Sequence, residues 1–437
     1  MKPISDLYEL FLNATGITTD SRKVEKGSIF FALKGEHFDG NKFAEQTLLS
    51  GAAYAVVDDI SLKAKDRFIH VENVLITLQQ LANYHRKQFQ IPIIAITGSN
   101  GKTTSKELLA AIFQNHYRTH YTKGNLNNHI GVPITLLNMP LDTEIAVIEM
   151  GANHIGEIAA LCNIVEPSHG VITNVGKAHL EGFGGFEGVK KAKAELYGYL
   201  HKRNGVAFIN LDEPFLKDLA RNLNHIVFYH QSEDPDPLLS SLETKLVSAT
   251  PVVKIAFLSD NRTLEIEAKS NLFGDYNFNN IQTAVAIGRY FKVPADKIKA
   301  AVESYVSTNN RSQLLVKETN TFIMDAYNAN PTSMRIAINN IDMLASDHKM
   351  VILGDMLELG EYSMEEHQSI FNHALSKSFD QIIFVGKEFA KIVTETDQVH
   401  YFKDVEELRI WFYQKEIKNT LILLKGSRGV QLEKLLN

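Results

Sequence analysis

Short apolar runs separated by helix-sized amphipathic stretches recur along this chain, a pattern that predicts strands alternating with helices. One such run, "IIAI" at 93–96, enters a glycine turn and leaves as a stretch with Leu108, Leu109 and Ile112 on one face. That order reads as strand, tight loop and helix. Ahead of it, residues 1–90 mix β-type runs ("SIFFAL", "AAYAVVD") with turn clusters, and end in a helical pattern at "LANYHRKQFQ" before Pro92 breaks the chain. Beyond it, "IAVIEMG", "GVITNVG" and "GVAFINL" read as buried strands with helices between them, the signature of a mainly parallel sheet. The acidic, proline-containing "QSEDPDPLLSSLE" reads as an exposed turn before two antiparallel strands at "VVKIAFL" and "TLEIEA". From about 311 a second, Rossmann-like βα series begins, with strands at "TFIMDAY", "KMVILGDM", "QIIFVG" and "TLILLKGS". The expected fold is α/β in three domains: a small one at 1–90, a central mainly parallel-sheet domain at 91–310, and a C-terminal one at 311–437. No internal repeat or low-complexity segment interrupts it.

Composition narrows the function classes. A chain of 437 residues with 44% hydrophobic content can bury the cores of several domains. A formal charge of −6 gives no electrostatic reason to expect a nucleic-acid partner. The single cysteine, Cys162, rules out an internal disulfide and agrees with a reducing compartment. The first residues lack an apolar stretch of signal-peptide length, and no run approaches the ~18 apolar residues of a membrane span. A soluble, cytoplasmic protein without membrane insertion is expected, and a monomer.

The turn "TGSNGKTT" has the composition of a phosphate-binding loop, although its first glycine, Gly98, comes two residues later than position 96, where the usual spacing would place one. Backbone N–H groups from Gly98, Ser99, Asn100 and Gly101, with the helix N-terminus at Lys102, Thr103 and Thr104, would cradle an anion. Lys102 would lie against the β- and γ-phosphates, and the Thr103 hydroxyl would coordinate Mg²⁺. The alternative is an ordinary strand-to-helix turn with a surface lysine. Glu149 ends a strand at the sheet edge, where a carboxylate can hold a metal beside phosphate oxygens or simply cap a helix. In "TNVGKAHLEGFGGFEGVKKAKAELY", His179 is either a hydrogen-bonded loop residue or a ligand, and Lys190, Lys191 and Lys193 either a solvated helix face or part of a site. Their occurrence at the same strand edge as the loop favours the site.

Taken together, these motifs resemble the Mur ligase family of peptidoglycan synthesis and its folylpolyglutamate synthase relatives. "TGSNGKTT" is similar to that family's shorter ATP loop, which accounts for the late glycine. "DSRKVEKGSIFFALKGEHFDGNKF", "TKGNLNNHIGVP", "IEMGANHIGEI", "AHLEGFGGFEGVKKAKAEL", "DAYNANPTSM", "GDMLELG" and "LLKGSRG" follow in order from residue 19 to 429, so the resemblance covers almost the whole chain. It implies an ATP-dependent ligase. ATP would phosphorylate the terminal carboxylate of a UDP-N-acetylmuramoyl-tripeptide, and the amine of D-alanyl-D-alanine would attack the acyl phosphate to form an amide. Motifs selecting lysine or diaminopimelate are not apparent, which favours the dipeptide-adding step. Another amino-acid ligase of the superfamily, tripeptide-forming or folate-specific, is the alternative. A regulatory NTPase without ligation is a second, and it leaves His179, Lys193 and the third domain unexplained.

By resemblance, the first domain holds the UDP portion through Ser21, Arg22 and Lys34, and "GNLNN" supplies Asn125, Asn127 and Asn128 on the substrate side. ATP and Mg²⁺ fall to the central domain. Thr103, Glu149, His179 and Lys193 look like metal-site residues, with Lys102, His179 and Lys193 catalytic, and Asn277 and Asn280 resemble the pair at the adenine. Lys193 matches the position that several members carry as a carbamate. Arg311 and Asp325 look like third-domain contacts to phosphates and ribose, with Tyr327 and Asn328 on the D-alanyl-D-alanine side. Tyr276 stands where a histidine is common, and "STNNRSQ" replaces the family's Pro-Gly-Arg ahead of the third domain. Contacts shared between two domains imply closure about a hinge near 307–312.

Overall fold

In the computed structural model, residues 3–63, 66–232, 242–307 and 311–436 are described. Most of the expected acidic turn at 231–243 and part of the expected hinge, 308–310, lie outside them.

The first sheet is parallel and four-stranded, in the order Ile17–Thr18, Ile29–Phe31, Tyr54–Val57, Phe68–His70. Its faces are closed by short helices and by Val74–Arg86, which buries Leu78 and Leu81. That helix also fastens the first domain to the second. Arg86 Nε donates to the Val165 carbonyl at 2.8 Å, and Asn83 Nδ2 to that of Ile164 at 2.9 Å.

The central sheet has six strands, all parallel, in the order His225–Tyr229, Val206–Asn210, His169–Ile172, Ile93–Thr97, Ile145–Glu149, Thr119–Tyr121. Ile93–Thr97 is buried along its whole length, as strands covered on both faces are. The chain winds first to one side of this strand and then to the other. Such a reversal opens a crevice beyond the strands' carboxyl ends. Helix Lys102–Gln114 leaves the loop and buries Leu108, Leu109 and Ile112 against helix Tyr276–Tyr290, where Ile281 and Val285 are also fully covered. The two antiparallel strands expected from sequence are present at Lys254–Leu258 and Glu265–Lys269, joined by a third at Lys245–Ser248.

The C-terminal sheet also has six strands, ordered Gln313–Lys317, Asn320–Asp325, Thr420–Lys425, His348–Gly354, Gln381–Val385, Val399–Phe402. Only the first runs antiparallel. Asp325 and Lys425, at the ends of adjacent strands, therefore face the central sheet's loop edge from the other side of a cavity.

Candidate active site

The loop between Ile93–Thr97 and Lys102–Gln114 requires glycine at two points. Gly101 has φ of 79° at the helix start, and a Cβ there would collide with the Asn280 side chain. Gly98 has φ of 148°, and a Cβ would run into the Thr173 hydroxyl. The turn after the neighbouring strand holds the loop in place. Asn174 Oδ1 accepts from the Asn100 backbone N–H at 2.9 Å, Thr173 Oγ1 donates to the Asn100 carbonyl at 2.6 Å, and the Ser99 N–H reaches the Asn174 carbonyl at 3.1 Å. Nothing local in "TNVG" marks Thr173 and Asn174 as site residues. Their role depends on strand order, which local sequence does not encode.

Lys102 is half-buried and folded back, its Nζ donating to the carbonyls of Gly98 at 2.7 Å and Ser99 at 3.1 Å. It is therefore not a freely solvated surface lysine. Burial pushes its amine down to about 8, against a partial upward pull from Glu149.

Glu149 is almost fully buried at the end of its strand. Its Oε1 accepts from Thr103 Oγ1 at 3.1 Å and from Asn127 Nδ2 at 2.8 Å. Its Oε2 is buried without a hydrogen-bond donor, 3.7 Å from the ammonium of the equally buried Lys106. The sequence does not mark Lys106, since a lysine four positions into a helix looks like an exposed one.

Among the described residues, no three His, Cys, Asp or Glu side chains converge as a metal cluster. The hard oxygen pair of Thr103 and Glu149, with an orphaned carboxylate oxygen, nevertheless suits Mg²⁺, which takes few protein ligands and keeps positions for water and phosphate. The Lys106 ammonium, 3.7 Å from that oxygen, offsets part of its charge.

His179 begins a short helix with φ of 53°, and its Nδ1 pairs with the carboxylate of Glu358 in the third domain. That contact holds the Glu358 carboxyl below its usual range. Lys193, on helix Phe186–Arg203, is buried with its Nζ 5.1 Å from the centre of the Phe183 ring, whereas Lys191 is exposed. Burial, reinforced by the charge on Lys102, pushes the Lys193 amine down to about 7.

The third domain closes the cavity. Asp325 Oδ2 pairs with the buried Lys425 ammonium at 2.5 Å, and the Arg311 guanidinium lies over the Tyr327 ring at 3.9 Å. Asn330 Nδ2 donates to Asn100 Oδ1 at 2.7 Å, and Lys177 pairs with Glu366 at 2.5 Å. The two domains thus already touch across a cavity of about 880 Å³.

The loop from Ser99 to Lys102, Thr104, the three asparagines 125, 127 and 128, Glu149 and His179 line this cavity on one side. Asn280, Arg311, Asp325, Tyr327 and Asn328 complete it. Asn277 stands behind Asn280, its amide donating to the Phe273 carbonyl at 2.6 Å and its Oδ1 accepting from Asn280 at 2.9 Å. Tyr276 is half-buried and bonded to Ser312, so it shapes the wall at the position where the sequence departs from the family's pattern. Ser21, Arg22 and Lys34 lie outside the cavity lining, in the first domain. There Arg22 forks onto Asp20 at 2.9 Å, and Lys34 pairs with Asp58 at 2.8 Å.

Comparison with known proteins accounts for this arrangement. Residues 13–86 match "Mur ligase family, catalytic domain", 96–288 match "Mur ligase middle domain", and 310–428 match "Mur ligase, glutamate ligase domain". The UDP-N-acetylmuramoyl-tripeptide–D-alanyl-D-alanine ligase of Bacillus subtilis is 34% identical over 96% of this chain and 92% of its own length. A crystal structure of MurF from Acinetobacter baumannii superposes with a TM-score of 0.86 at 30% identity, covering 99% of this chain and 97% of that one. MurF ligase from Thermotoga maritima in complex with ADP gives 0.84 at 27% identity over 98% and 97%. A glycine loop, a buried carboxylate beside it and a third domain closing over both are carried by a chain that belongs, along almost its whole length, to the Mur ligase family.

Proposed function

We propose that the protein is an ATP-dependent amide ligase that adds D-alanyl-D-alanine to UDP-N-acetylmuramoyl-tripeptide through an acyl phosphate. The observation that carries this reading is the single cavity in which the loop of the central domain meets Arg311, Asp325 and Tyr327 of the third, in a chain 34% identical to a ligase of that name. An ADP-bound relative of the same shape supports nucleotide binding at the loop.

In this reading, the loop N–H groups and Lys102 hold the β- and γ-phosphates, and Arg311 and Asp325 hold the phosphates and ribose from the other domain. A bare carboxylate is a poor acyl donor, and phosphorylation supplies the leaving group. The peptide carboxylate takes the γ-phosphoryl group and ADP departs. The dipeptide amine, held near Tyr327 and Asn328, then attacks the acyl carbon and expels phosphate. Asn125, Asn127 and Asn128 face the peptide, while Ser21, Arg22 and Lys34 receive the uridine end. Mg²⁺, held through Thr103 and Glu149 with His179 and a carbamate on Lys193 in support, would offset the repulsion between carboxylate and phosphate anions. Catalysis here is positioning and charge compensation rather than covalent chemistry by the protein. No helix among the described residues is long and apolar enough to cross a membrane.

Phosphate release measured with each substrate omitted in turn tests the reading. Release should require both the UDP-tripeptide and D-alanyl-D-alanine, and phosphate formed equally well without either would mark a plain ATPase. A second expectation concerns the metal. Thr103→Ala removes the hydroxyl on Glu149 and should raise the Mg²⁺ concentration for half-maximal activity by about tenfold. An unchanged Mg²⁺ titration would remove Thr103 from the metal site.

A further inference from the structure

Glu213 lies in the turn after strand Val206–Asn210 and lines the same cavity as the phosphate loop, yet none of the chemistry above uses it. That strand pairs with His169–Ile172, which pairs with Ile93–Thr97, so the turn stands two strand spacings, roughly 10 Å, along the sheet edge from the loop. Asn279, in the first turn of helix Tyr276–Tyr290, donates from Nδ2 to Glu213 Oε1 at 3.5 Å. The next residue, Asn280, abuts the loop at Gly101. Among the described residues, no cation pairs with Glu213. A nucleotide whose phosphates occupied the loop would extend into this cavity, whose wall includes Glu213 and Asn279.

Resting on the ATP reading above, we propose that Glu213, oriented by Asn279, makes this site select adenine over guanine. Because the Asn279 amide donates to Oε1, a neutral carboxyl carries its proton on Oε2 and presents one donor beside one acceptor. Adenine offers the complementary pair, an acceptor at N1 and a donor at the N6 amine. Guanine offers the reverse, with a donor at N1 and an acceptor at O6. An ionised Glu213 would present two acceptors, which suit the N1–H and N2 amine of guanine instead.

Burial and the neighbouring Asp212 push the Glu213 carboxyl up to about 7, so the neutral form persists near neutral pH. Asp212 keeps its own carboxylate occupied, accepting from Gln282 Nε2 at 3.2 Å and from the Gln231 N–H at 2.7 Å. From the neighbouring strand comes the buried Tyr229 hydroxyl, bonded to Thr283 at 2.9 Å, with its ionisation pushed far above neutrality. The helix contributes the uncharged Asn279, Asn280 and Thr283 to the wall and Gln282 to Asp212, and the charged groups elsewhere on the cavity wall include Lys102, Arg311 and Asp325. The base preference therefore rests on the proton at Glu213 and should narrow as pH rises through about 7.

The test compares kcat/KM for ATP and GTP in the full-length protein at about pH 6 and about pH 8.5, with equilibrium binding of both nucleotides measured alongside. Wild type should prefer ATP by at least about tenfold at the lower pH, with the ratio falling at the higher. E213Q keeps a donor and an acceptor in the same places, so its preference should persist and lose its pH dependence. E213A should reduce the ratio about ten- to hundredfold, chiefly through KM for ATP. Wild-type discrimination by E213A, or a pH-dependent preference in E213Q, overturns the proposal. Failure of the ligase reading shows separately as absence of amide product with either nucleotide, and the binding ratios still decide the role of Glu213.

Discussion

Replacing Lys102 with alanine should abolish ligation while leaving the fold in place. The side chain sits where a triphosphate would meet the loop, and its ammonium now rests on the loop's own carbonyls, Gly98 at 2.7 Å and Ser99 at 3.1 Å. Swinging from those carbonyls to phosphate oxygens exchanges neutral acceptors for charged ones, and the interaction strengthens as negative charge shifts during transfer. Loss of one such donor costs about 10²–10³ in rate where it has been measured, so kcat should fall at least a hundredfold. Stability should drop by only about 1–3 kcal/mol, the worth of bonds to a charged donor. Thermal melting and single-turnover phosphate release separate the two effects. Activity within a few-fold of wild type in a folded variant would overturn the assignment. The amine, at about 8, is charged below that pH and neutral above it. ATP binding should accordingly be level below about pH 8 and weaken above it, a trend absent from Lys102→Ala.

How much of this was legible in the sequence follows from what each residue's role depends on. The loop strand, its glycine turn and the helix face of Leu108, Leu109 and Ile112 are local patterns, and all three are in place. Gly98 and Gly101 belong to that local turn pattern, and the backbone requires glycine at both. Short edge strands such as Thr119–Tyr121 and Val399–Phe402, only partly buried, carry too weak an apolar alternation to announce themselves. Lys106 and Glu213 were invisible for another reason. Each is a charged residue in an unremarkable local context, and only strand order and helix packing bring one to Glu149 and the other to the cavity. Lys193 lies between these cases. Its spacing in "VKKAKAEL" matched a family position, while its burial and its place over Phe183 depend on the packed helix.

That burial makes Lys193 the subject of the other large expected effect. Removal of CO₂ from the purified protein should take away activity, and bicarbonate should restore it. Carbamate formation needs the neutral amine, which attacks CO₂ and releases a proton to solvent. A solvated lysine, near 10.4, is almost wholly protonated at neutral pH, but burial brings Lys193 to about 7, so roughly half is reactive there. The reaction replaces a cation with an anion bearing two oxygens. A buried cation beside Lys102 would repel Mg²⁺, whereas the carbamate would attract it and turn the repulsion from Lys102 that helps depress the Lys193 amine into attraction. Lys191, exposed on another face of the same helix, retains no such advantage and should not substitute. Lys193→Ala should lose at least about a hundredfold in kcat and fail to respond to bicarbonate. Lys193→Met, which keeps the apolar stem against Phe183, controls for packing and should melt close to wild type while remaining inactive. Full activity of either variant, or a metal-loaded crystal whose density at Lys193 ends at a bare amine, would remove the carbamate from the mechanism.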